Sequence, residues 1–113
     1  MKEQRIREEL TQCREVLSDL FQSGLTGAPE SLIERCGREA KYVRQYGMEW
    51  LADKMTLLAE QLEKRRHVTR EENEAEIVRL FCQIETFVEE GIRISGLEEA
   101  GVRIRQKEWE QED

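Results

Sequence analysis

The chain has 113 residues, a charged fraction of 38% and a formal net charge of −7. This length is typical of a single domain, and the negative charge repels a phosphate backbone, which argues against nucleic acid as a partner. No apolar run approaches the roughly 20 residues that a bilayer-spanning helix needs, and the first ten residues lack the apolar centre of a signal peptide. We therefore expect a soluble, cytoplasmic protein that does not bind membranes.

Apolar residues recur at alternating spacings of three and four, which is the period of amphipathic helices. The pattern predicts helices near residues 3–22, 30–46, 48–66 and 70–90. Because the four segments have similar lengths and short connections, consecutive helices should be antiparallel neighbours. The predicted fold class is all-α, an up-and-down antiparallel four-helix bundle over residues 1–91 with a short C-terminal extension.

The first predicted helix carries one apolar stripe. The stripe contains Ile6, Leu10, Cys13, Leu17 and Leu20, and it is widened by Val16 and Phe21. The loop at residues 23–29 ends this helix with two glycines and the only proline. Pro29 suits the first turn of the next helix, where a missing backbone N–H removes no hydrogen bond.

The second and third predicted helices meet at Gly47, which can adopt a left-handed conformation and make a tight corner. Their stripes are Ile33, Cys36, Ala40 and Val43, then Met48, Leu51, Met55, Leu58 and Leu62 with Ala52 and Ala59 beside them. Gly37 lies inside the second helix, where glycine costs about 1 kcal/mol relative to alanine. We interpret Cys36, Gly37 and Ala40 as a narrow strip that another helix approaches closely.

The fourth predicted helix begins at a capping box formed by Thr69 and Glu72 and stops near Gly91. Its stripe contains Ile77, Phe81, Ile84 and Val88, flanked by Leu80 and Phe87. Residues 92–113 are predicted to form a short helix, started by a capping box at Ser95 and Glu98, or a loosely held acidic tail. A hairpin of the similar segments GIRIS and GVRIR is the less favoured alternative.

Residues 31–62, SLIERCGREAKYVRQYGMEWLADKMTLLAEQL, combine a small-residue stripe, a glycine corner and a leucine run. This stretch resembles the helical pair that accompanies some bacterial SWIM-type zinc-finger proteins. The resemblance implies two packed helices. It brings no zinc ligands with it and implies no role for any residue.

The polar residues show no pattern of a catalytic, metal or cofactor site. Cys13, Cys36 and Cys82 form no CxxC pair and should be free thiols that pack as small apolar groups in a reducing compartment. The only histidine, His67, ends a predicted helix, where it should be solvated or act as a cap. The basic cluster EKRRHVTREE is surrounded by glutamates, so helix-end charges and ion pairs explain it. We expect no enzymatic activity, no metal and no cofactor.

Three aromatic residues, Tyr42, Tyr46 and Trp50, flank the predicted corner at Gly47. In one interpretation they cap the end of the core. In the other they form a partner-binding patch, because tyrosine and tryptophan are enriched in interface hot spots. The sequence alone leaves both interpretations open, and the core cap is favoured.

The function predicted by elimination is that of a non-enzymatic helical protein-interaction module. Its partner is another protein or a second copy of the chain, so a homo-oligomeric structural protein is one alternative. The other alternative is a bundle that binds a small apolar ligand between Met48, Met55, Trp50 and Phe81.

Overall fold

The protein is an all-α four-helix bundle. The computed structural model describes the backbone of residues 2–25, 27–67 and 71–111 and the side chains of residues 4–25, 27–67 and 73–96. The helices are α1 Lys2–Ser23, α2 Glu30–Gln45, α3 Glu49–His67 and α4 Glu71–Gln111. α1 and α3 each pack against both α2 and α4, which places α1 diagonally across the bundle from α3. The structure confirms the predicted fold class.

The core is formed by the predicted stripes, because each stripe lies on one face of its helix. α2 buries its four predicted residues, and α3 buries Leu51, Ala52, Met55, Leu58 and Leu62. From α1 and α4 the core receives Leu10, Cys13, Val16, Leu17, Leu20, Ile77, Leu80, Phe81, Ile84 and Val88. No polar or charged residue among the described side chains is buried. Two predicted stripe-wideners, Phe21 and Phe87, are instead exposed.

The corner between α2 and α3 has the predicted left-handed glycine. Gly47 has a φ of +84°, and its N–H donates to the carbonyl of Arg44. The N–H of Met48 donates to the carbonyl of Val43, which completes a Schellman motif. At the start of α2, Pro29 is the residue just before the helix rather than its first residue, and its carbonyl accepts from Leu32 and Ile33.

α4 does not stop near Gly91 as predicted but continues as one helix to Gln111. A Cβ atom built on Gly91 would lie 2.8 Å from Leu10 Cδ1, so this glycine is where α1 and α4 approach each other closely. Ser95 donates a hydrogen bond to the carbonyl of Gly91 inside the helix and starts no new one. The segment after Gly91 is therefore a helical continuation, neither a hairpin nor a separate short helix. Glu98 lies outside the described side chains, and Thr69 lies outside the described backbone.

Gly37 does not mark a close helix approach, which corrects the sequence-based interpretation. A Cβ atom built on Gly37 would meet no atom within 4 Å. The residue lines a shallow surface groove between α2 and α3, together with Lys41, Thr56 and Ala59. Its neighbours Cys36 and Ala40 are buried as predicted, because they lie on the core side of α2.

Candidate functional site

Exposed apolar side chains follow the seam between α3 and α4. Trp50 and Leu57 on α3 are 46% and 42% exposed, and Phe87 and Ile94 on α4 are 36% and 44% exposed. The rings of Trp50 and Phe87 pack across the seam at a centroid distance of 5.1 Å. Because α3 and α4 are antiparallel, Leu57 and Ile94 lie in opposite directions from this contact. We call these four residues the α3–α4 strip. An exposed apolar surface of this kind is a common mark of an interaction site.

The structure separates the three aromatics that flank Gly47. Tyr42 is 50% exposed and Tyr46 is half-buried. Among the described rings, Trp50 pairs with Phe87 and Phe21 pairs with Phe81, so neither tyrosine ring packs on Trp50. Tyr42 and Trp50 are too exposed to cap the core. That Tyr42, Tyr46 and Trp50 contact a partner stays a prediction.

The face of Trp50 is also reached by a cation. Lys54 lies one helical turn further along α3, and its Nζ is 5.7 Å from the centroid of the Trp50 ring. This cation–π contact holds the lysine stem against the apolar surface. The contact orients the Trp50 ring while leaving part of it open to solvent.

A second feature lies between α1 and α2, where two glutamates meet a buried thiol. One carboxylate oxygen of Glu9, one of Glu39 and the Sγ atom of Cys13 all lie within 4.8 Å of one another. Glu9 lies one turn before Cys13 on α1, and Glu39 lies about one turn after Cys36 on α2. Helical periodicity therefore places each glutamate beside a buried cysteine at the α1–α2 interface. We call Glu9, Cys13 and Glu39 the Glu–Cys–Glu cluster.

The protonation of this cluster differs from that of exposed groups. Burial raises the pKa of Glu9 to about 8, with a further contribution from a hydrogen bond and charge repulsion with Glu39. Burial also raises the pKa of the Cys13 thiol, and it raises the pKa of Cys36 to about 12. At neutral pH Glu9 therefore retains its proton to a large extent and the two thiols are neutral.

The thiols contact Met55 at the centre of the bundle. Cys13 Sγ lies 3.7 Å from Met55 Sδ, and Cys36 Sγ donates to the Met55 carbonyl at 3.6 Å. Both cysteines are free and fully buried, as predicted, but Cys82 is exposed. The prediction for Cys82 was wrong because this residue follows Phe81 on α4 and points away from the core.

The basic segment at the end of α3 is used in ion pairs. Arg65 pairs with Glu74 on α4, and Arg66 lies 3.6 Å from a carboxylate oxygen of Glu30 on α2. His67 is exposed, with Nε2 3.2 Å from Glu63 Oε1. Three basic residues of the segment, Arg65, Arg66 and His67, therefore lie beside carboxylates.

The residues proposed to line an apolar ligand pocket do not lie together around a described cavity. Met55 is fully buried against Cys13, whereas Trp50 is on the surface. The groove between α1 and α4 is lined by Phe21 and Phe81 together with Arg14, Glu85 and Glu89, and it contains none of the proposed methionines. Ligand binding in the core stays an untested alternative.

Sequence reasoning missed both the Glu–Cys–Glu cluster and the pairing of Trp50 with Phe87. The sequence did contain a signal for the cluster. One glutamate lies four residues before Cys13 and another lies three residues after Cys36, so both are at the edges of apolar stripes. These edges face each other if α1 and α2 are antiparallel. The Trp50–Phe87 contact depends on the axial offset between α3 and α4, and the helix periods do not fix that offset.

No described helix has an apolar stretch long enough to cross a membrane. The resemblance of residues 31–62 to the helical pair of SWIM-type zinc-finger proteins stays a prediction. Comparisons with family models, with curated proteins and with solved structures find no match to this chain.

Proposed function

We propose that this chain is a non-enzymatic, cytoplasmic protein-interaction module that binds a basic amphipathic helix of another protein along the α3–α4 strip. The observation that carries the proposal is the exposure of four large apolar side chains on α3 and α4, at and on either side of the Trp50–Phe87 contact, in a protein whose charged fraction is 38%. The cytoplasmic location is supported by three free cysteines, which suit a reducing compartment.

The spacing of the strip fits a helix as its occupant. Trp50 and Leu57 are seven residues apart, as are Phe87 and Ile94, so each pair spans about 10 Å along its helix. α3 and α4 run in opposite directions, because Trp50 packs on Phe87 and Arg65 pairs with Glu74. Leu57 and Ile94 therefore lie to opposite sides of the Trp50–Phe87 contact, and the four side chains form one line of about 20 Å. A line of this kind can accept the apolar face of a third helix, whose anchors recur at positions i, i+3, i+4 and i+7.

Charge favours a basic helix over a second copy of this chain. Between residues 73 and 96, α4 carries five glutamates and two arginines, and the whole chain has a net charge of −7. Glu76 and Glu90 lie on α4 in the same row as Phe87 by helical periodicity, but each pairs with an arginine three residues on, so the attraction comes from the excess acidic charge of α4 and of the whole chain. A second copy would bring a matching acidic helix to the seam, whereas a basic helix would be attracted to it.

The proposal is tested by affinity capture from the native cell with the wild-type chain and two variants. Trp50→Ala removes the centre of the strip. Phe21→Ala is the matched control, because Phe21 is 71% exposed but packs on Phe81 in the α1–α4 seam. We expect one protein to be retained by the wild type and by Phe21→Ala, and its affinity for Trp50→Ala to fall about tenfold or more.

The same samples separate the alternatives. Trp50→Ala should lower the free energy of unfolding by about 1 to 2 kcal/mol, since the ring is about half buried and packs on Phe87, so the capture is carried out at a temperature where the variant is folded. The captured protein should bind through a basic helical segment, and its affinity should fall as the salt concentration rises. Equal capture by Trp50→Ala contradicts the proposal. So does sedimentation that shows a wild-type dimer dissociated by Trp50→Ala, because the strip would then bind a second copy.

A further inference from the structure

The Glu–Cys–Glu cluster brings three potential metal ligands from two helices into one small space. The nearest donor atoms of Glu9, Cys13 and Glu39 lie within 4.8 Å of one another. The cluster lies between α1 and α2, away from the α3–α4 strip, so it is independent of the proposed docking surface. The sequence predicted no metal site because no two cysteines or histidines are close along the chain.

The donor atoms are buried and poorly satisfied by the protein itself. Glu9 Oε1 and Glu39 Oε2 are inaccessible to solvent and have no hydrogen-bond partner among the other described residues, although the two carboxyl groups contact each other. The Cys13 side chain is 0% exposed, and the polar contact described for its thiol is the weakly accepting thioether of Met55 at 3.7 Å. A buried carboxylate oxygen without a donor costs free energy, and a cation is a group that would satisfy all three atoms at once.

We propose that Glu9, Cys13 and Glu39 bind one divalent transition-metal ion of the Zn²⁺ class. A mixed set of thiolate sulfur and carboxylate oxygen suits an ion of borderline softness, and it suits neither Mg²⁺ nor Ca²⁺, which take oxygen ligands alone. Zinc–sulfur bonds of about 2.3 Å and zinc–oxygen bonds of about 2.1 Å place tetrahedral ligand atoms roughly 3.5 Å apart. The glutamate side chains would have to turn toward Cys13 to reach that geometry, and a water molecule would supply the fourth ligand.

The charges and protons of the binding step balance without a redox reaction. The Cys13 thiol and the Glu9 carboxyl group each release their proton to solvent, which leaves one thiolate and two carboxylates. These three negative charges and the dication give a site with a net charge of −1. Binding therefore releases about two protons per ion and becomes tighter as the pH rises.

The test is a titration of the full chain with Co²⁺ and with Zn²⁺ at neutral pH. We expect one Co²⁺ per chain, an ultraviolet sulfur-to-cobalt charge-transfer band, and displacement of Co²⁺ by Zn²⁺. Cys13→Ser should abolish the band, and Glu9→Gln should weaken the affinity at least tenfold. The controls are Cys82→Ser, which removes the exposed thiol, and Glu8→Gln, which removes an exposed carboxylate on α1. Both should bind like the wild type.

A second readout keeps the proposal falsifiable if a variant folds poorly. Excess Zn²⁺ should raise the melting temperature of the wild type and of Cys82→Ser, but not that of Cys13→Ser, because only a folded-state ligand stabilises the fold. The absence of the charge-transfer band in the folded wild type would overturn the proposal. Equal affinity of the wild type and Cys13→Ser would also overturn it, since the ion would then be held by surface carboxylates.

Discussion

At the scale of single residues, burial decides the chemistry of side chains that look alike in the sequence. The three cysteines are one case, because Cys13 and Cys36 are 0% exposed and Cys82 is on the surface of α4. The glutamates are another, because Glu9 meets Glu39 across the α1–α2 interface while its neighbour Glu8 is exposed. In both cases the environment, rather than the residue type, sets reactivity and protonation.

Thiol labelling checks the cysteine assignment. With a soluble thiol reagent on the native protein, we expect Cys82 to react rapidly and Cys13 and Cys36 to react only after unfolding, since the buried thiols are neutral and inaccessible. Mass spectrometry of digested samples identifies which thiol carries the label. Rapid labelling of Cys13 in the folded protein would contradict the described packing of α1.

The raised pKa of Glu9 predicts how stability depends on pH in the presence of a chelator. The folded state holds this proton more tightly than the unfolded state, whose pKa is near 4.5. The stabilisation is therefore complete below about pH 4.5 and is lost as the pH rises through about 8. Because solvent screens the partly buried pair, we expect a loss of about 1 to 2 kcal/mol.

Two matched variants isolate that contribution. Glu9→Gln should remove most of the loss of stability between pH 5 and pH 9, because a neutral amide replaces the carboxyl group. Glu8→Gln should keep the wild-type dependence, because Glu8 is exposed. Chemical denaturation at several pH values measures both. Parallel curves for Glu9→Gln and the wild type would show that Glu9 ionises normally in the fold.

At the scale of helices, the glycines have different roles that their positions along the chain do not reveal. Gly47 ends α2 with a φ of +84°, which a side chain rarely adopts. Gly37 and Gly91 both lie inside helices, yet Gly37 faces open space and Gly91 faces Leu10 of α1. Gly91 thus allows close packing of α1 on α4, whereas Gly37 lowers the helix propensity of α2 without allowing a close contact.

This difference predicts opposite outcomes for two alanine substitutions. Gly37→Ala should stabilise the protein by about 0.5 to 1 kcal/mol, because alanine has the better helix propensity and its Cβ meets no atom. Gly91→Ala should lack this gain or be destabilising, because its Cβ would lie 2.8 Å from Leu10 Cδ1. Urea unfolding of the two variants beside the wild type gives both values. Equal stabilisation would show that α1 can move away from Gly91 at no cost.

At the scale of the whole molecule, the length of α4 sets the shape. α4 has 41 residues, and the other helices have 22, 16 and 19. A helix of this length extends about 60 Å, which accounts for most of the 67 Å long dimension. α4 is therefore too long to be packed against the three shorter helices over its whole length.

Small-angle X-ray scattering checks this shape in solution. The Cα radius of gyration is 17.4 Å, whereas a compact chain of this length has one of about 13 Å. We expect the scattering of a monomer to give a value near the larger number, after allowance for its hydration shell. A value near 13 Å would contradict the continuous α4 and favour a chain folded back at Gly91.

By itself, the sequence determined the helical class, the number of helices in the bundle, most of the core and the corner at Gly47. These features are local: a 3.6-residue period and a left-handed glycine act within one or two turns of the chain. The sequence did not determine whether Gly91 ends a helix, because a glycine inside a helix costs only about 1 kcal/mol and packing can offset that cost.

Which residues meet between helices follows from the packing of the bundle. The contact of Trp50 with Phe87 and that of Glu9 with Cys13 and Glu39 depend on the rotation and axial offset of neighbouring helices. Those offsets are set by how all the side chains of the core fit together at once, and no single stripe carries that information. The proposed docking strip and the proposed metal site both arise at such interfaces, because several helices must be assembled before either set of groups is brought together.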